Sequence, residues 1–111
     1  MKLAEIVAAT RRLLNDSDPQ LQRWPDAAYY EAVHAAVLAV RRHRPDLITG
    51  RYAPVPVYTP ADADLEPPLP DDWHPLLAYY AAGHLLLIED PTEATQKATI
   101  LLQHFRTELG R

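Results

Sequence analysis

The stretch LPDDWHPLLAYYAAGHLL, Leu69 to Leu86, decides how this chain is read. It crowds Asp71, Asp72, His74, His84, Trp73 and the pair Tyr79–Tyr80 into a few turns of chain, which invites a catalytic or metal-site reading. The apolar residues say otherwise. Leu76, Leu77, Tyr80, Ala81, Leu85 and Ile88 recur at steps of three and four, and Tyr79, Leu86 and Leu87 broaden the face. That spacing predicts a helix, and one this apolar belongs at the centre of a bundle. Pro75 suits its first position, where a missing N–H costs nothing. Asp71 and Asp72 then supply negative charge at the positive end of the helix dipole, which explains them better than a general acid/base pair.

Outward from this segment, the same grammar recurs. Leu3, Ile6, Val7, Leu13 and Leu14 predict a first helix, with Arg11 and Arg12 near its C-terminal end and NDSDP stopping it. RWPDAAYY opens a second, with Pro25 at its first position and Asp26 in its first turn. Tyr29, Val33, Ala36, Val37 and Val40 form its inner face, and the alanines around them let neighbours approach closely. It ends near Arg42 or His43, because Pro45 disfavours helix at the residue before it. After the central helix, Asp90, Pro91 and Glu93 spell a capping-box start for a last helix. Ala94, Ala98, Leu101, Leu102, Phe105 and Leu109 follow on one face, with Gly110 just past the end.

Between the second and third helices the chain changes character. Seven of its 11 prolines lie from Pro45 to Pro70. Pro54 and Pro56 each remove a backbone donor, so Tyr52, Val55, Val57 and Tyr58 are expected in edge-strand or polyproline-like pieces. Six acids (Asp46, Asp62, Asp64, Glu66, Asp71, Asp72) against the single base Arg51 make the segment acidic. The fold class expected is mainly α: one domain over residues 1–111, a four-helix bundle-like core with a proline-rich extended or β excursion over about 45–72.

Composition narrows function. A net charge of -4 argues against a surface devoted to nucleic acid. The absence of cysteine excludes disulfides, thiolate metal sites and cysteine nucleophiles. MKLAEIVAATRRLL lacks the apolar run of a signal peptide, and nothing approaches the roughly 20 apolar residues of a membrane span. A soluble protein made in a cytoplasm is expected. His74 and His84 are about 80° out of line on a helix, and His34 and His104 come from other helices. With no HExxH motif, no metal or other cofactor is expected. Isolated glycines exclude a phosphate loop, and Thr10, Ser17, Thr49 and Thr99 sit in no nucleophile motif, so no enzyme activity is expected.

Two features stay open for partners. Arg41, Arg42, His43 and Arg44 end the second helix, with Arg51 nearby. Cations there stabilise the helix dipole, yet four in a row exceed that need and leave at least one for a phosphate or an acidic partner. The excursion either wraps its own bundle or offers a preorganised extended segment to another chain, because Tyr52, Val55, Val57 and Tyr58 are too apolar for an ordinary solvated loop.

The order of the pieces resembles the small phage head-to-tail adaptor (connector) proteins. RRLLNDSDP, RWPDAAYYEAVHAAVLAVRRHRPD and LPDDWHPLLAYYAAGHLLLIED carry the resemblance, which spans nearly the whole chain. Pro25 departs from it, standing where those proteins have a serine or threonine, and no long arm follows ELGR. The resemblance implies a non-enzymatic structural protein of a tailed phage virion. Such a protein forms a homo-oligomeric ring, usually dodecameric, between the portal protein and the tail or nozzle protein, and it extends the DNA channel. It implies localisation at the head–tail junction after synthesis in the host cytoplasm. It also implies that Arg41, Arg42, Arg44 and Arg51 face packaged DNA or the portal, and that Tyr52, Val55, Val57 and Tyr58 meet a neighbouring subunit. The alternative is a small helical DNA-binding regulator reading a groove with AVRRHR, which the net charge and the long excursion oppose.

Overall fold

In the computed structural model four α-helices form among the described residues: α1 (Leu3–Leu13), α2 (Asp26–His43), α3 (His74–Glu89) and α4 (Thr95–Leu109). The structure describes residues 1–16, 18, 23–48, 55–89 and 95–110. The α4 capping pattern at Asp90, Pro91 and Glu93, together with Ala94, Thr49, Ser17, Arg51 and Tyr52, lies outside the described residues. No strand forms among the described residues; residues 55–59 carry no regular secondary structure, with Thr59 extended, and short 3₁₀ turns sit at Pro45–Leu47, Pro60–Asp62 and Asp71–Trp73.

The expected centrality of α3 holds, since it packs against each of the other three helices. The reason is composition. Leu76, Leu77, Ala78, Ala81, Ala82, Leu85 and Leu86 are all buried, so burial runs round most of the helix rather than along one stripe. Gly83 faces α4, where an added Cβ would lie 2.8 Å from Leu102 Cγ and 3.4 Å from the Ala98 carbonyl. The glycine is there for close approach, which brings the α4 face of Ala98, Leu101 and Phe105 onto α3. Ile88 corrects the expected pattern: it is 66% exposed, with Leu87 beside it on the surface.

The α2 face of Tyr29, Val33, Ala36, Val37 and Val40 is buried as its spacing predicts. Pro25 stands one place earlier than expected, at the N-cap with φ -69° and ψ 159°, so Asp26 is the first helical residue. Pro75 likewise is not first in α3; the 3₁₀ turn of Asp71–Trp73 runs directly into a helix that begins at His74.

The excursion wraps its own bundle. Its carbonyls of Leu65 and Ala63 accept the backbone N–H groups of Leu3 and Ala4 at 2.8 and 3.1 Å. These are orphan donors of the first turn of α1. Glu5 Oε1 accepts the Lys2 N–H at 3.0 Å, so most of that helix end is capped.

Candidate interaction surfaces

The clamp between α1 and α2 is the most polar part of the interior. Beyond Leu14 the chain turns through Asn15, at φ 55°, a left-handed conformation that asparagine tolerates. The turn brings Asp16 back under the helix, where it is 2% exposed. Its carboxylate accepts from Arg11 Nη1 (3.1 Å), the Arg23 backbone N–H (2.8 Å) and the Tyr29 hydroxyl (2.6 Å). Arg11 also pairs with Asp26 and lays its guanidinium 4.0 Å from the centroid of the Tyr29 ring. Burial, then the Asp16 hydrogen bond, pushes the Tyr29 hydroxyl far above its ordinary pKa. Arg11 stands in the last turn of α1, as its place in the sequence predicts, and its 7% exposure also makes it a core residue. The motif RRLLND held the signal, but only a bend at Asn15 converts that spacing into an ion pair.

The α3 start is a second polar knot. His74 is 1% exposed, so it is a core side chain as well as the first residue of its helix. Its Nε2 lies 2.7 Å from the Leu69 carbonyl, which can only accept, so Nε2 carries the proton. Nδ1 then accepts from the Met1 ammonium at 2.7 Å. That ammonium also lies 3.5 Å from Glu66 and 4.0 Å from Asp71. Glu66, Asp71 and His74 place one ligand atom each within 4.8 Å of one another, a grouping missed by comparing histidines only with histidines. In this geometry the ammonium supplies the positive charge that the two carboxylates face.

Of the expected contact residues, Arg42 is exposed and Arg41 half-buried at the end of α2. Arg44 has a job inside the chain. Its Nε and Nη2 hold Asp46 at 3.1 and 3.0 Å, its Nη1 donates to the Leu109 carbonyl at 2.6 Å, and its guanidinium sits 5.7 Å from the centroid of Trp73. It ties the ends of α2 and α4 to the start of α3. Among the described arginines of the group, Arg42 is exposed and Arg41 and Arg44 are half-buried.

The excursion residues divide in the same way. Val57 is 56% exposed. Val55 is half-buried, and its carbonyl accepts from His34 Nε2 at 3.0 Å. Tyr58 is 5% exposed, packed edge-on against the His34 ring at 5.8 Å. Burial raises its pKa, as does the nearby Asp62. In the single chain a large apolar ring beside α2 gains more by joining the core than by standing in water. Leu65, at 51% exposed, joins Val57 as an exposed apolar residue of the excursion.

Of the hydroxyls considered as nucleophiles, Thr10 is fully buried and donates back to the Ile6 carbonyl at 2.8 Å, while Thr99 is exposed. No family model matches the chain, and neither a curated protein nor a solved structure matches it.

Proposed function

We propose that the chain is a non-enzymatic head-to-tail adaptor of a tailed phage virion, a ring-forming subunit between portal and tail. The observation that supports this reading is where the three resembling motifs fall. RRLLNDSDP contains the Arg11–Asp16 clamp, RWPDAAYY contains Asp26 and Tyr29 which close it, and LPDDWHP contains His74 and the Trp73 that Arg44 reaches. The likeness therefore lies in residues that determine how the helices join, rather than in generic helix formers. On this reading Arg41, Arg42, Arg44 and Arg51 line the channel or meet the portal, while Tyr52, Val55, Val57 and Tyr58 reach a neighbour. The ring forms on the portal, whose symmetry sets the number of copies.

Mass spectrometry of purified tailed particles is the direct test. The chain should be present at a copy number close to that of the portal, and purified protein should add a ring of density to portal rings in electron micrographs. Its absence from particles, with no binding to portal rings, would end the adaptor reading. Within it, Arg41→Ala with Arg42→Ala should lower the yield of DNA-filled, tailed particles; an unchanged yield removes the channel role from those residues.

A further inference from the structure

We propose that the group of Met1, Glu66, Asp71 and His74 is a binding site for a divalent ion of the zinc class, which pins the start of α1 to the end of the excursion and the start of α3. Glu66, Asp71 and His74 each place one ligand atom within 4.8 Å of the others. The Met1 nitrogen completes the group, 2.7 Å from His74 Nδ1, 3.5 Å from Glu66 Oε1 and 4.0 Å from Asp71 Oδ1. Asp71 Oδ1 lies 3.7 Å from His74 Nδ1. Donors at the corners of a zinc tetrahedron, each about 2.1 Å from the metal, stand about 3.4 Å from one another. The separations in the chain straddle that spacing. The Glu66 and Asp71 side chains are 61% and 84% exposed, so they can close the remaining gap by turning about their own bonds.

Two carboxylates alone select no particular ion, and the imidazole is what gives this group its character. His74 is 1% exposed, and its Nε2 donates to the Leu69 carbonyl at 2.7 Å, so the Nδ1 lone pair is fixed and aimed at the other donors. One ring nitrogen donating to a backbone carbonyl while the other faces the metal is how ligating histidines are held in place. Met1, as an ammonium, is the partner of all three side chains. The metal recruits it rather than displacing it: the ammonium gives one proton to solvent, and the freed amine lone pair forms a bond to the ion. The donor set is then two nitrogens and two carboxylate oxygens. Magnesium and calcium take oxygen ligands, whereas zinc accepts nitrogen and carboxylate together in a four-coordinate site. Lys2, the adjacent cation, is turned to Asp64 at 3.7 Å. His34, His84 and His104 face aromatic rings instead. Among the described residues no second group of three histidine or carboxylate ligands comes together. The proposal rests on this geometry and stands apart from the adaptor reading.

The test is a calorimetric titration of zinc chloride into the full chain with a free Met1 amine at neutral pH, joined to nitrogen NMR of the histidine rings. One ion per chain is expected, with a dissociation constant of roughly 1–100 µM. The His74 Nδ1 resonance should move while those of the other histidines hold. Magnesium chloride should not bind in the same range. Glu66→Gln combined with Asp71→Asn, both on exposed side chains, should weaken zinc binding at least about tenfold, since even an outer partner of a ligand is worth that much. Asp72→Asn, the neighbouring acid outside the group, should leave it unchanged. Acetylation of the Met1 amine removes its lone pair and should weaken binding by a similar factor. Zinc binding weaker than about 1 mM, matched by magnesium, or unaltered by acetylation or by the double variant overturns the proposal. So does binding that leaves His74 Nδ1 unmoved, which is attachment to a surface histidine. The ring-nitrogen signal and the magnesium comparison use the unaltered protein, so the outcome does not depend on how well the variants fold.

Discussion

Replacing Asp16 with alanine should remove much of the stability of this fold. The carboxylate is 2% exposed and accepts three hydrogen bonds, from Arg11, the Arg23 backbone and Tyr29. Without it, the Tyr29 hydroxyl loses its acceptor inside the core, an omission that costs about 1–3 kcal/mol. Arg11, 7% exposed, keeps as its carboxylate partner Asp26, whose side chain is 62% exposed, besides the Asp16 backbone carbonyl at 3.4 Å and the face of the Tyr29 ring. Breaking a buried pair from one side costs about 3–5 kcal/mol, and that range is the expectation here. Domains of this size hold about 5–15 kcal/mol in total, so the variant should be folded but marginal. In urea, followed by circular dichroism at 222 nm, a slope near 1.5 kcal/mol per molar turns the loss into a midpoint shift of about 2–3 M. The double variant Arg11→Met with Asp16→Ala no longer buries an uncompensated cation. It should therefore be more stable than the sum of the two single losses by at least about 1 kcal/mol. An Asp16→Ala loss within about 0.5 kcal/mol, the scale of an ordinary surface change, refutes the reasoning. So does strict additivity in the double variant.

The close crossing of α3 and α4 gives a second test: Gly83→Ala should destabilise by about 1–2 kcal/mol, overpacking against Leu102 outweighing the gain in helix propensity. In a Leu102→Ala background the same change should be neutral or stabilising in thermal melts; a loss there too would mean that Leu102 is not the obstacle. His84, stacked on Tyr80 at 6.0 Å, has its pKa lowered by burial. A lowered pKa contributes stability above the ordinary value of about 6.5 and loses it as pH falls toward the folded one, with a slope of at most about 1.4 kcal/mol per pH unit. His84→Gln should flatten the stability profile just below pH ~6.5, and an unchanged slope there would refute the assignment. Tyr58 runs the other way: its raised pKa stabilises below the ordinary value of about 10, and that contribution fades as pH climbs through the folded value. Tyr58→Phe should lessen the alkaline loss measured by denaturant titration, and identical profiles would show that Tyr58 does not carry it.

What could be read from the sequence is what repeats along it. Each helix announces itself by apolar steps of three and four, and prolines mark the ends, so α2 and the dominance of α3 were legible. Arg11 was not. Its spacing to Asp16 is unremarkable until Asn15 turns left-handed, and the pair is buried only because Tyr29 arrives from the next helix. His74 reads as a helix start, which it is, but its burial depends on Met1 and Leu69 closing over it, one of them 73 residues away. Ile88 has the right spacing and is exposed, since periodicity assigns a face and does not say what packs against it. The candidate site was legible only in its residue types. Which cation is exposed, Arg42, and which is knotted, Arg44, depends on where α4 ends, a contact between positions 65 apart.

The excursion shows how such long-range contacts reshape the functional argument. A proline-rich extended segment invites the idea that its backbone adds to a partner's sheet. Here the Ala63 and Leu65 carbonyls cap α1, the Val55 carbonyl holds His34, and Thr59 and Asp62 satisfy one another across a 3₁₀ turn. Much of its hydrogen-bonding capacity is therefore used within the chain. Strand addition at these positions would uncap the first helix, leaving the N–H of buried Leu3 to be satisfied at about 1–3 kcal/mol. Among the described residues of this segment, Val57 and Leu65 are the large apolar side chains left in water for a partner to meet. Prolines suit that use as well as they suit the wrap itself: they hold the backbone in an extended path without donors of their own, so Val57 stays displayed beside Pro56 while the residues around it serve the bundle.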